Sequence, residues 1–163
     1  MQRVLVLGGY GAFGGLAVER LARTPGIEVI VAGRSADKAQ AFAARLAKQA
    51  KARVSGIGLD AGNVAASTLG AIQPAVLINA TGPYQAQDYR VARACIAVGA
   101  HYLDLADARG FVTGIAGLDT DARRAGVLVV SGASTVPAIS AAVVDAYAKQ
   151  FRRLEAVHTI IAP

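Results

Sequence analysis

Gly9, Gly11 and Gly14 form a G-x-G-x-x-G pattern inside the stretch VLVLGGYGAFGG, between a short apolar run and a helical one. Glycine weakens any regular element it sits in, so glycines gathered here need a chemical reason. The chemistry that needs them is close approach of a large anion to the main chain. Gly9 turns the chain out of the strand, Gly11 leaves room for a pyrophosphate, and Gly14 lets the next helix pack tightly. The phosphates would sit on free N–H groups at the positive end of that helix, in the loop that holds Ala12 and Phe13. Gly8 and Gly15 allow neighbouring registers of the same pattern. The G-K-[ST] of a phosphate-binding P-loop is missing, so that reading is excluded.

The next run, EVIVAG, ends at Gly33 and is followed by Arg34 and Ser35, with Lys38 a little further on. A site selective for NAD places Asp or Glu here to hold the ribose hydroxyls. Glu28 lies before the run and Asp37 beyond it, both badly placed for that task. The Arg34 guanidinium instead suits a 2′-phosphate, which its planar donor fork can meet bidentately. Ser35 adds a hydroxyl and Lys38 a second positive charge. NADP is therefore expected in preference to NAD. Asp60, in GLDAG, either bonds the adenine amino group or caps the segment after it.

Ligands of open parallel sheets lie across the carboxyl ends of the strands. The stretch INATGPY would bring Ala80, Thr81, Gly82 and Pro83 to the nicotinamide half, with Tyr84 offering a hydroxyl or a packing ring. In HYLDLAD, alternation sets Tyr102 and Asp104 on one face and His101 and Leu103 on the other. Asp104 is at the carboxyl end and is a catalytic candidate together with Tyr84. His101 is at the opposite end and reads as structural. SGASTVPA, before a helix expected from Pro137, reaches the same rim.

The elements that would position these residues alternate. RVLVLG, EVIVAG, RVSGIGLD, AVLINA, HYLDLA and VLVVSG read as strands, and helical patterns fall between them. Ser35 is a plausible N-cap and Gly99 a helix stop. Short connections between alternating strands and helices imply a doubly wound α/β domain, a parallel sheet covered on both faces. EAVHTIIAP is expected to add one more C-terminal strand.

The 163 residues suit a single domain, 54% hydrophobic and 17% charged, which excludes a disordered chain. The net charge of +6 is scattered, with no basic run interleaved with aromatics, so a nucleic-acid partner is not expected. The single cysteine, Cys95, lies in an apolar helical pattern and reads as packing rather than a nucleophile. No metal-ligand spacing is present. With no apolar run of membrane-spanning length and no signal-like start, the expected setting is cytoplasmic.

Taken together, VLVLGGYGAFGG, AGRS with Lys38, INATGPY, GAHYLDLAD and SGASTVP resemble, in order and spacing, the saccharopine dehydrogenase-like family. The resemblance is to its N-terminal NAD(P)-binding domain, a Rossmann fold, and covers nearly the whole chain. It implies an oxidoreductase that moves a hydride to or from an amino-acid-like secondary amine or imine. Gly9, Gly11, Phe13 and Gly14 match the dinucleotide loop, and Arg34, Ser35 and Lys38 the 2′-phosphate edge. Thr81, Gly82 and Pro83 match the loop near the nicotinamide, and Asp104 the acidic position after His-Tyr. Family members continue past HTIIAP into a substrate-binding domain, so residues 1–163 are expected to form the cofactor domain alone. A homodimer through an unpaired last strand is a further expectation. Two rival readings stand beside the resemblance. One is a non-catalytic NADP sensor of the NmrA-like kind. The other, the short-chain dehydrogenases, needs Tyr-x-x-x-Lys, whereas Tyr89 is followed by Arg93 and Tyr147 by Phe151.

Overall fold

Strict alternation along the first strand divides the core in two. Val4 and Val6 face one side of the sheet, where they pack with Val29, Val31 and the helix residues Val18, Ala39 and Ala43. Leu5 and Leu7 face the other, with Ile30, Leu77, Leu69, Val91 and Cys95. A strand buried on both faces reads as an unbroken apolar run, which is why VLVL and VLI show no polar positions.

The computed structural model describes residues 1–160, the Pro137 side chain apart. Its elements are β1 (Gln2–Leu7), α1 (Ala12–Leu21), β2 (Ile27–Gly33), α2 (Ala36–Ala47), β3 (Arg53–Gly58), α3 (Ala66–Ile72) and β4 (Val76–Asn79). They continue with α4 (Arg90–Ala97), β5 (His101–Asp104), α5 (Arg109–Gly114), α6 (Asp119–Ala125), β6 (Val129–Val130) and α7 (Ser140–Tyr147). The strands form one six-stranded sheet in the order β3-β2-β1-β4-β5-β6, and every pairing is parallel. Helices cover both faces. This is the doubly wound Rossmann architecture, and its strand order reverses between β1 and β4.

Local signals set most boundaries. Ser35 caps α2, its Oγ accepting from the Lys38 N–H at 3.3 Å. Gly99 and Gly126 take left-handed conformations after α4 and α6. The helix expected from Pro137 starts later, at Ser140, after a π-helical turn over Thr135–Ile139. Val136 is extended there (φ −123°, ψ 123°), as the ring of a following proline favours.

The expected last strand is not formed. Residues 151–160 carry no strand, and 161–163 lie outside the described residues. A strand needs an edge to pair with, and β6, the edge on that side, is only two residues long. Among the described residues no helix is long and apolar enough to cross a membrane.

Candidate functional site

The loop after β1 is shaped by two glycines in particular. Gly8 holds a left-handed conformation, φ 73°, and turns the chain out of the strand, the role expected of Gly9. Gly14 sits against that turn so closely that a Cβ would overlap the Gly8 carbonyl. Gly9 and Gly14 thus lie behind the loop, while Gly8 and Gly11 present their backbone to an open groove. Ala12 begins α1 on the exposed side, and Phe13, 74% exposed, projects toward a second cavity.

The groove has a volume of about 660 Å³ and follows the carboxyl ends of the strands at the switch point. Gly11, Arg34, Asp60, Ala80, Thr81, Gly82 and Pro83, all expected at the site, line it together. Ser35 and Lys38 stand beside it at the start of α2. Arg34 is exposed, and among the described residues it enters no ion pair. Asp60 caps the segment after it, one of its two expected roles, and also lines the groove. Its carboxylate accepts from the Gly62 N–H at 3.2 Å and from Asn63 Nδ2 at 3.1 Å. Across the groove, Arg90 donates to the Gly62 carbonyl and to both carboxylate oxygens of Asp88. Those Arg90 bonds hold the Asp88 carboxyl down at about 2.

The loop after β4 is braced from below. Buried Asn79 accepts through Oδ1 from the Thr81 N–H at 3.1 Å and from the Thr81 hydroxyl at 2.5 Å. Its Nδ2 donates to the Tyr102 hydroxyl at 3.3 Å. Gln87 Nε2 donates to the carbonyls of Thr81 and Pro83, and the Gly82–Pro83 peptide is cis. Sequence reasoning bordered the site with the INATGPY stretch, Asn79 included, but did not foresee Gln87, which lines the groove as well as bracing the loop.

Tyr84 and Asp104, the two catalytic candidates, are both buried. The Tyr84 hydroxyl donates to the Asn79 carbonyl at 2.7 Å and accepts from the Leu105 N–H at 3.4 Å. Burial pushes its pKa up to about 12. It stays protonated and committed to that carbonyl, so only its ring is offered to the second cavity. Asp104 is fully buried, and its Oδ1 accepts from the Ala106 N–H, the Gly132 N–H and the Ser131 hydroxyl. Through these bonds each positions backbone around the cavity. Alternation correctly set Asp104 apart from His101, but the sequence could not tell a residue at the rim from one beneath it. His101 Nδ1 accepts from the Leu128 N–H at 3.0 Å, a structural bond.

The second cavity, about 540 Å³, shares Ala80, Gly82 and Pro83 with the groove. Phe13, Leu105 and Ile139 supply apolar wall, Ser134 and Thr135 hydroxyls, and Asp107 is the one charged residue in its lining. Sequence reasoning passed over Asp107, since nothing in ADA distinguishes it from a solvated loop acid.

A glycine-turned loop at the switch point, a groove across the strand ends and an unpaired guanidinium at the end of β2 define a dinucleotide-binding Rossmann domain. Residues 4–136 match the model of the saccharopine dehydrogenase NADP binding domain, and the chain belongs to that family. Comparison with curated proteins gives no match. Solved structures share the fold. A short-chain dehydrogenase from Sphingobium yanoikuyae in complex with NADPH aligns with TM-score 0.59 and 17% identity, over 80% of this chain and 70% of that one. Sorbitol-6-phosphate 2-dehydrogenase from Erwinia amylovora gives TM-score 0.60 and 18% identity over 90% and 78%. The bulky-bulky ketone specific alcohol dehydrogenase from Comamonas testosteroni gives 0.58 and 13% over 98% and 97%. At these identities the likeness is one of fold.

NADP is the cofactor of the domain family, and the residues present fit it. The groove floor is bare backbone at Gly8 and Gly11; a side chain at Gly11 would take up the space of a pyrophosphate, and a Cβ on Gly8 would run into the Ala80 carbonyl. Gly11 itself has ordinary extended backbone (φ −80°, ψ 178°), and a Cβ there would meet only the Gly8 carbonyl oxygen, at 3.1 Å. Replacing Gly11 with Val should therefore cost only about 1 kcal/mol of stability while filling the groove. Cofactor titration of the folded variant should give no measurable binding, whereas normal binding would assign the loop another purpose.

Proposed function

We propose that this chain binds NADPH along the groove and forms the cofactor side of an oxidoreductase acting on an amino-acid-like secondary amine or imine. The observation that carries the proposal is the continuity of the two cavities through Ala80, Gly82 and Pro83. A dinucleotide whose adenine half lies by Asp60 and Gly62 would bring its other half to that junction. Bound there, the cofactor supplies a hydride.

The chain's own groups then have distinct tasks. Gly8 and Gly11 admit the diphosphate, and Arg34 with Lys38 meets the 2′-phosphate. The braced 80–83 loop supports the ring, and the apolar walls of the second cavity exclude water from its exposed face. Asp107 favours a cationic substrate, since among the described residues it enters no ion pair. An amine or iminium nitrogen matches that charge; a neutral ketone does not use it.

Titration with NADPH and NADH tests the first step, and absence of NADPH binding would end the proposal. Consumption of NADPH on adding an imine, formed from a 2-oxo acid and an amine, tests the second. Tight binding without turnover on imines or ketones would point instead to a cofactor-sensing module. Replacing Asp107 with Asn should raise KM for the cationic substrate about tenfold, the worth of one charge-assisted contact. KM for a neutral ketone of the same shape should stay unchanged; equal effects on both would remove Asp107 from substrate recognition.

A further inference from the structure

We infer that Tyr10, the first variable residue of G-x-G-x-x-G, makes the chain prefer a cofactor with a 2′-phosphate, acting together with Arg34. The inference rests on the cofactor reading above. It comes from a contact that joins the two halves of the site. The Tyr10 hydroxyl accepts a hydrogen bond from the Ser35 N–H at 3.0 Å, across the gap between the β1 and β2 loops. Its ring packs over Gly33, so closely that a Cβ there would come within 2.5 Å of Cε1 and 2.8 Å of the hydroxyl oxygen. Gly33 is thus small because Tyr10 covers it. Tyr10, Gly33 and Arg34 line the groove side by side.

A phenol has one proton to give and lone pairs to receive with. The Ser35 N–H occupies the receiving side, and no described residue accepts the proton. Tyr10 therefore holds an unused O–H donor at the groove wall, next to the Arg34 guanidinium. A hydrogen bond from an N–H to the phenolic oxygen polarises the O–H and strengthens what it donates. An anion gains most from such a donor, because bonds to charged acceptors are about twice as strong as neutral ones. A ribose 2′-hydroxyl gains little. The same bond ties the pyrophosphate loop to the start of α2, so the diphosphate and 2′-phosphate subsites keep a fixed separation.

The test uses two nucleotides that differ only in this group, adenosine 2′,5′-bisphosphate and adenosine 5′-monophosphate, titrated calorimetrically into the wild-type chain and Tyr10→Phe. Phenylalanine keeps the ring on Gly33 and removes only the hydroxyl. Affinity for the bisphosphate should fall about tenfold and that for the monophosphate by less than about twofold. A purely structural role would weaken both alike, and that result, or an unchanged ratio, overturns the inference while leaving the cofactor reading intact. If the wild-type chain does not prefer the bisphosphate, the placement of the 2′-phosphate fails and the inference goes with it. Should Tyr10→Phe not fold, the wild-type Ser35 amide serves as reporter in a nitrogen–proton spectrum. It should shift with the bisphosphate and stay still with the monophosphate; a still amide in both titrations overturns the inference.

Discussion

Replacing Arg34 with Asp should reverse the cofactor preference of this chain. The guanidinium stands exposed at the carboxyl end of β2, lining the groove, with no carboxylate of the described protein paired to it. Against a 2′-phosphate it would form a bidentate, charge-assisted pair, and the substitution puts a like charge in its place. Solvent screens both effects at so open a position. A loss of about 2.7 kcal/mol, or about a hundredfold in NADPH affinity, is the expected size. NADH should bind as well as before or better, because a carboxylate there can accept from the ribose hydroxyls. The wild-type preference for NADPH should also shrink as salt rises, since it is carried by exposed charge. Titration of both cofactors reads the outcome. Equal losses for NADPH and NADH would mean that the change had disturbed the loop, and no loss would place the 2′-phosphate elsewhere.

What the sequence disclosed and what it hid follow from the range of the forces involved. The strands were legible because both faces of the sheet are covered, which leaves VLVL and VIVA almost free of polar residues. The dinucleotide loop was legible because its glycines answer to backbone geometry within a few residues. Even there the turn lies at Gly8 rather than Gly9, since adjacent glycines look alike until φ is known. Tyr10 escaped notice because its partners, Gly33 and Ser35, are more than twenty residues away and arrive only when β1 and β2 pair. EAVHTIIAP carries strand-forming residues, but propensity supplies no partner, and residues 151–160 form no strand. Asp104 shows the deepest limit. Period-2 alternation gives the face a side chain takes, and depth depends on what later segments lay over it.

That depth makes Asp104 a sensitive position for stability. Its Oδ1 receives the Ala106 N–H at 2.9 Å, the Gly132 N–H at 2.9 Å and the Ser131 hydroxyl at 2.8 Å, while its backbone carbonyl receives the Ala133 N–H at 2.9 Å. One carboxylate oxygen thus ties the loop after β5 to the turn after β6, the segments that supply Leu105 and Ser134 to the second cavity. Replacing Asp104 with Ala leaves two buried N–H groups without an acceptor, each costing about 1–3 kcal/mol, and also opens a void. The expected loss is about 4 kcal/mol, a large part of the 5–15 kcal/mol typical of a domain. Asn keeps an acceptor in place but no longer a charged one, so Asp104→Asn should lose only about 1–2 kcal/mol. Urea denaturation of the two variants gives both values. A carboxylate poised for proton transfer would show the reverse pattern, with stability within about 0.5 kcal/mol of wild type in both and turnover lost in both. The ordering Ala far below Asn, with cofactor affinity retained in Asn, follows from an acid whose task is to hold two loops together.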